Sequence, residues 1–143
     1  MAFTLDFAQL IGYDPSQAGI QINVGLSLIE SRTEVSAKID TGSTDCVFTR
    51  SSGEQIGLNI ETGLLVKVST ATGYLTTYRH FVSLSVLGYE FDVGICFAGD
   101  ENYKRNVLGR HGFLDRVILG LVDYEGKLYL SKYGEPFSLS PES

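Results

Sequence analysis

Cysteine is scarce in this chain of 143 residues. Only Cys46 and Cys96 occur, each inside an apolar stretch and with no second thiol or histidine at metal-ligand spacing. No cysteine-built metal site is expected, and reduced, buried thiols are. Positive charge is also short: 11 Lys and Arg stand against 17 Asp and Glu, a net charge of −6. Phosphate backbones and anionic lipid therefore meet no electrostatic footprint, and neither nucleic acid nor membrane is expected as a partner. No run of eighteen or more uncharged apolar residues exists, which excludes a membrane-spanning helix. The first residues lack a positively charged region, and Asp6 and Gln9 interrupt their apolar character, so a cleavable secretion signal is unsupported. A soluble, cytoplasmic protein is expected.

What is present is core-forming material. Hydrophobic residues make up 43% and charged residues 20%, enough for one folded domain and too little room for two. Sixteen glycines fall between short β-branched and aromatic runs, the pattern of a strand-rich fold. Ile20, Ile22, Val24, Leu26 and Leu28 share one parity, which a pleated strand turns into one face. Val35, Ala37 and Ile39 repeat the alternation and deliver the chain into Asp40-Thr41-Gly42-Ser43, so that tetrapeptide sits at a strand end. Two β-compatible segments, 64–69 and 74–87, flank the polar connection Thr70-Ala71-Thr72-Gly73 and predict a projecting hairpin. Phe91, Val93, Ile95 and Phe97 form a further alternating strand after a turn at Gly88, and 117–122 with 127–130 read as a closing hairpin. Helical turns are expected only within 9–12, 53–57 and 112–115, all too short for an amphipathic pattern. The organisation expected is an arm over 1–19, a domain over 20–133 and a frayed tail over 134–143.

Asp, Gly and Ser are ordinary turn residues, so Asp40 could be an exposed turn acid. Its setting argues otherwise. Alternating apolar residues lead into the motif, and Cys46-Val47-Phe48 follow it. The bare Asp-Thr-Gly tripeptide arises by chance in only a few per cent of chains this long, on the order of residue usage.

These residues, with the hairpin at Thr72-Gly73-Tyr74 and the downstream element Val107-Leu108-Gly109-Arg110, resemble the retropepsin-like aspartic proteases over about residues 20–130. The resemblance implies an all-β, closed barrel-like acid-protease fold with one lobe per chain and few helical turns. It implies an aspartic endopeptidase with Asp40 as the catalytic acid and no cofactor or metal. Thr41, Gly42 and Ser43 would support the catalytic loop: Thr41 by hydrogen bonding across a dimer axis, Gly42 by permitting close approach, and Ser43 by bonding the Asp40 carboxylate. Leu108, Gly109 and Arg110 would form a second supporting loop, and Thr72, Gly73 and Tyr74 a flap. Viral members often carry an acid directly after the tetrapeptide to pair with the Arg of the Gly-Arg element. Here Thr44 takes that place and the first acid is Asp45.

Hydrolysis without a covalent nucleophile requires one group to polarise the carbonyl and another to deprotonate water. Two carboxyls about 3 Å apart share one proton and divide these tasks, an arrangement the general account of aspartic proteases already describes. The chain holds a single Asp-Thr-Gly, so a two-fold homodimer acting on a peptide or protein substrate is expected to supply the second acid. The rival reading is a non-catalytic dimerisation or protein-interaction module on the same fold. A third is a precursor that needs other segments to dimerise. A Ser-His-Asp site built on His80 or His111 lacks a Gly-x-Ser-x-Gly elbow. No glycine spacing suits a phosphate loop, and the aromatics interleave with acidic residues rather than basic ones.

Overall fold

In a computed structural model, residues 1–134 are described; the expected frayed tail lies almost wholly outside them. Among these residues, ten strands account for most of the regular structure: β1 (Gln9–Gly12), β2 (Ile20–Leu28), β3 (Ser31–Ile39), β4 (Val47–Phe48), β5 (Leu64–Thr70), β6 (Gly73–Val86), β7 (Tyr89–Ala98), β8 (Val107–Leu108), β9 (Val117–Val122) and β10 (Lys127–Lys132). A single α-helix, α1 (Arg50–Gln55), and three short 3-10 turns complete the described part. Seven strands lie in the order β2-β3-β8-β4-β7-β6-β5, and β2 pairs in addition with β6 through Gly25↔Ser85 to Ser27↔Ser83. That pairing closes β2, β3, β8, β4, β7 and β6 into a ring, with β5 outside it as an outer strand on the first half of β6. A separate three-stranded sheet runs β1-β10-β9.

The alternation in the sequence becomes the barrel core. Ile22, Val24 and Leu26 of β2, Ala37 and Ile39 of β3, Val82, Leu84 and Val86 of β6, and Phe91, Val93, Ile95 and Phe97 of β7 are buried in one cluster. Leu87 and Gly88 both take positive φ, 51° and 85°, as a two-residue hairpin loop whose twist matches its strands requires. Residues 9–12 are a strand, correcting the helical turn expected there: Gln9 to Gly12 find hydrogen-bonding partners along β10, and pairing outweighs local preference. The turn expected over 53–57 starts earlier, as α1, with Thr49 capping it by accepting a hydrogen bond from the Ser52 N–H. The turn expected over 112–115 starts two residues later, at Leu114–Arg116. Among the described residues no helix is long and apolar enough to cross a membrane.

Arg50 on α1 gathers three segments. Its Nη2 donates to Glu61 Oε1 at 2.8 Å, its Nε to Glu54 Oε2 at 3.1 Å and its Nη1 to the Gly99 carbonyl at 3.1 Å. The hydrogen bond from Arg50 holds the Glu61 carboxyl below its ordinary value. A depressed folded pKa stabilises the fold above the unfolded carboxylate value of about 4.3, and that contribution is lost as pH falls through the folded value. The gap in urea midpoint between wild type and Arg50→Gln is therefore expected to be widest near neutrality and to narrow toward about pH 2. A gap that stays constant across that range would show that Glu61 gains nothing from Arg50.

Candidate active site

Asp40 follows directly on β3, and two neighbouring segments fix its position. Parallel pairing of β3 with β8, Lys38↔Val107 and Ile39↔Leu108, brings the end of one strand beside the end of the other, and the Asp40 N–H donates to the Leu108 carbonyl at 3.0 Å. The carboxylate then organises its own turn. Asp40 Oδ1 accepts from the Gly42 N–H at 2.9 Å, and the Ser43 N–H donates to the Asp40 carbonyl at 3.1 Å. Such self-bonding is the usual means by which an Asp closes a tight turn.

The second loop clamps the first. The Arg110 N–H donates to the Ser43 carbonyl at 2.9 Å and the His111 N–H to the Thr44 carbonyl at 2.8 Å. Gly109 lies so close that a Cβ there would stand 2.3 Å from the Asp45 carbonyl oxygen. Its N–H points at Cys46 Sγ, 3.4 Å away. Burial pushes the Cys46 thiol up to about 12, which leaves it no nucleophilic thiolate at neutral pH. Both cysteines are free and buried.

Ser43 is placed differently from expectation: its Oγ donates to the Asp45 carbonyl at 2.7 Å rather than to the Asp40 carboxylate. It braces the loop and leaves the acid's remaining oxygen for other chemistry. Arg110 exposes its side chain, and among the described residues it forms no ion pair. Asp45 instead meets Arg79 of β6, Nη2 to Oδ1 at 3.1 Å, with both side chains partly shielded. Asp45 is thus paired by a cation of the barrel wall and not by Arg110. Thr41 is exposed, and its hydroxyl makes no hydrogen bond among the described residues.

Above the acid lies the hairpin of β5 and β6. Pairing of β6 with β7 begins at Thr77↔Ala98, and the Gly99 N–H donates to the Thr76 carbonyl at 3.0 Å, so Gly73 to Leu75 pair with β5 alone and project beyond the barrel. A cavity of about 650 Å³ opens between this hairpin and Asp40, within the size range of small-ligand and peptide clefts. Gly42, Ser43 and Val47 line its floor, Val68 to Thr72 and Leu75 its roof, and Asn102 to Arg105 with Val107 one wall. Asp40 is the single carboxylate among these residues. Of the three expected flap residues, Thr72 borders the cavity. Gly73 lies at the hairpin turn with φ 141° and open space around it, and Tyr74, 75% exposed, faces a depression on the other side with Glu61 and Asp100. Among the described residues no group of three or more His, Cys, Asp or Glu side chains could hold a metal.

The wall over 102–105 carries no mark in the sequence that assigns it to the site. Its placement depends on Asn106, whose Oδ1 accepts from the Thr49 N–H at 3.0 Å and whose Nδ2 donates to the Ser36 carbonyl at 3.1 Å. An Asn before a Val-Leu strand is the one local signal, and by itself it reads as a turn residue.

The family model described as "Aspartyl protease" matches residues 18–120. Among solved structures, the chain is similar to a retropepsin-like aspartic protease from Rickettsia conorii, with 17% identity, 90% of this chain and 96% of that one covered, and a TM-score of 0.61. It is also similar to the EIAV protease complexed with the inhibitor HBY-793, with 16% identity, 70% and 88% covered, and a TM-score of 0.54. Among curated proteins none matches. At these identities the structural likeness speaks for the fold, and the family match spans most of the chain.

Proposed function

Because the chain belongs to the aspartyl protease family and has the retropepsin-like fold, we propose that it is an endopeptidase whose active centre is completed by a second copy, each protomer contributing one Asp40. The observation that carries this reading is a lone carboxylate, braced by two loops and roofed by a hairpin, in a cavity of peptide-binding size. One carboxyl cannot both activate water and protonate a carbonyl, and no other acid among the described residues lines the cavity.

In the dimer the two Asp40 side chains approach across the two-fold axis and hold a single proton between them. The ionised member takes a proton from a bound water. That water attacks the scissile carbonyl, whose oxygen receives the shared proton, and a tetrahedral diol forms with no covalent bond to the enzyme. Collapse of the diol transfers a proton to the leaving amine and restores the pair. Thr41, with an unused hydroxyl, reaches the partner loop; Gly42 lets the two loops approach. The hairpin around Thr72 closes over the peptide and excludes water from the reacting bond.

A surface for the second copy is available on the three-stranded sheet, where Leu10, Leu121 and Val122 are 57%, 42% and 40% exposed. Apolar side chains left on β1 and β9, the two outer strands of this sheet, favour association over solvation. On this reading residues 20–133 are the protease domain, and residues 1–19 are an arm that adds β1 to the sheet.

Cleavage of a random peptide library, followed over pH beside sedimentation of the same samples, tests the proposal. Activity is expected in acidic to mildly acidic solution, blocked by a tetrahedral-intermediate mimic and proportional to the dimer fraction. A rate that climbs steadily into alkaline solution, or full activity in a sample that sediments as monomer, would reject the paired acid.

A further inference from the structure

We propose that Lys104 and Arg105 make this cleft selective for peptides that carry an Asp or Glu side chain within three residues of the scissile bond, a refinement that rests on the proteolytic reading of the Asp40 cavity. The chain as a whole carries a net charge of −6, yet the cavity lining sets two cations against one acid. Lys104, Arg105 and Val107 also line a second depression of about 340 Å³, which continues outward along Gln21, Ser36 and Lys38. The cleft therefore leads from the acid into a groove bordered by three cations.

These cations are unspent. Arg32, Arg50, Arg79, Arg116 and Lys127 each stand within 4.0 Å of a carboxylate. Lys38, Lys104 and Arg105 form no ion pair among the described residues. Of the two acids in the same loop, Asp100 is engaged with its own turn, where Oδ1 accepts from the Asn102 N–H at 2.9 Å, and neither it nor Glu101 forms an ion pair among the described residues. Nor is the loop a loose display. Asn106 anchors its end to Thr49 and Ser36, and the Tyr103 N–H donates to the Asp100 carbonyl at 3.1 Å.

An unpaired guanidinium on a fixed backbone, at the edge of a cavity that a flap closes, binds a carboxylate by charge-assisted hydrogen bonds with little ordering cost. Focusing of the field by the low-dielectric cleft also draws anionic peptides in. Two-fold symmetry repeats the wall, so an acid is accepted on either side of the bond. An apolar wall at this place would give no such preference.

The test uses paired libraries of randomised decapeptides, one member with a fixed Glu and the other with a fixed Gln at one position at a time. Cleavage is measured with wild type, and binding by fluorescence anisotropy with the Asp40→Asn protein, so that selectivity is read even where no bond is cut. At one or more positions Glu is expected to exceed Gln by about tenfold at low salt, falling toward parity at about 0.5 M salt. The double variant K104E/R105E, whose changes are both at exposed positions, is expected to reverse the order and favour a fixed Lys; K104Q/R105Q is expected to abolish it. Equal binding of Glu and Gln at every position, or a Glu preference that survives in both double variants, overturns the proposal. A Glu preference in binding with no cleavage by wild type would leave the selectivity standing and remove the proteolytic reading instead.

Discussion

Asp40→Asn is expected to reduce kcat by about 10³-fold or more, with the fold intact. Asn keeps the side-chain oxygen that accepts from the Gly42 N–H at 2.9 Å, so the turn has no reason to move. What it removes is the capacity to hold or release a proton at that position, which hydrolysis by activated water requires. Symmetry sharpens the expectation. If each active centre needs an acid from both copies, one Asn disables a mixed dimer, and equal amounts of wild type and variant, unfolded and refolded together, retain about a quarter of the wild-type activity rather than half. Half would mean that each chain works alone. Circular dichroism matching wild type, beside the lost rate, separates chemistry from folding; cleavage at an undiminished rate would end the assignment of Asp40.

Gly109→Ala is the second large effect, and it acts through backbone contact. A Cβ at this position stands 2.3 Å from the Asp45 carbonyl oxygen and 2.7 Å from that of Ser43, both main-chain atoms that cannot swing aside. The loops must separate, breaking the bonds from Arg110 to Ser43 and from His111 to Thr44 that hold the Asp40 turn. Overpacking of this kind costs about 3 kcal/mol, which lowers the melting temperature of a domain this size by about 10 °C. Activity is expected to fall with it, since Asp40 is held by the same two loops. Gly12→Ala, whose nearest neighbour is 3.9 Å away, serves as control and is expected to change stability by no more than about 0.5 kcal/mol. Melting of Gly109→Ala within two degrees or so of wild type would show that the loops relax freely.

Strands whose side chains alternate are legible from the order of residues alone. Period two in β2, β3 and β7 arises because one barrel face is dry and the other wet, and that difference is written into every second residue. The Asp40 turn is legible too, since Asp-Thr-Gly-Ser at a strand end is a local statement. Residues placed by distant partners are not. Gln9 to Gly12 carry no pattern of their own and become a strand because β10 offers an edge. Lys104 and Arg105 read as solvated charges until Asn106 ties their loop to Thr49 and Ser36, 57 and 70 positions away in the chain. Ser43 has two acceptors within reach along the chain, and only the shape of the turn decides that it bonds the Asp45 carbonyl. Arg79, facing Asp45 from β6, shows why the acid displaced by one position after the tetrapeptide still has a cation to meet.

The fourteen-residue span of β6 gives the β5–β6 hairpin its mechanical character. From Thr76 onward the strand is locked to the β7 side, through the Gly99 N–H and then the β7 ladder, with the Thr77 hydroxyl donating to the Val66 carbonyl at the root; ahead of it, Gly73 to Leu75 stand with β5 alone. Such a hairpin behaves as a cantilever clamped at one end. Its tip can bend while its base stays still, so if the cleft takes peptides as proposed, they enter and leave by elastic bending of the tip, and the staves that carry Asp40 need not loosen.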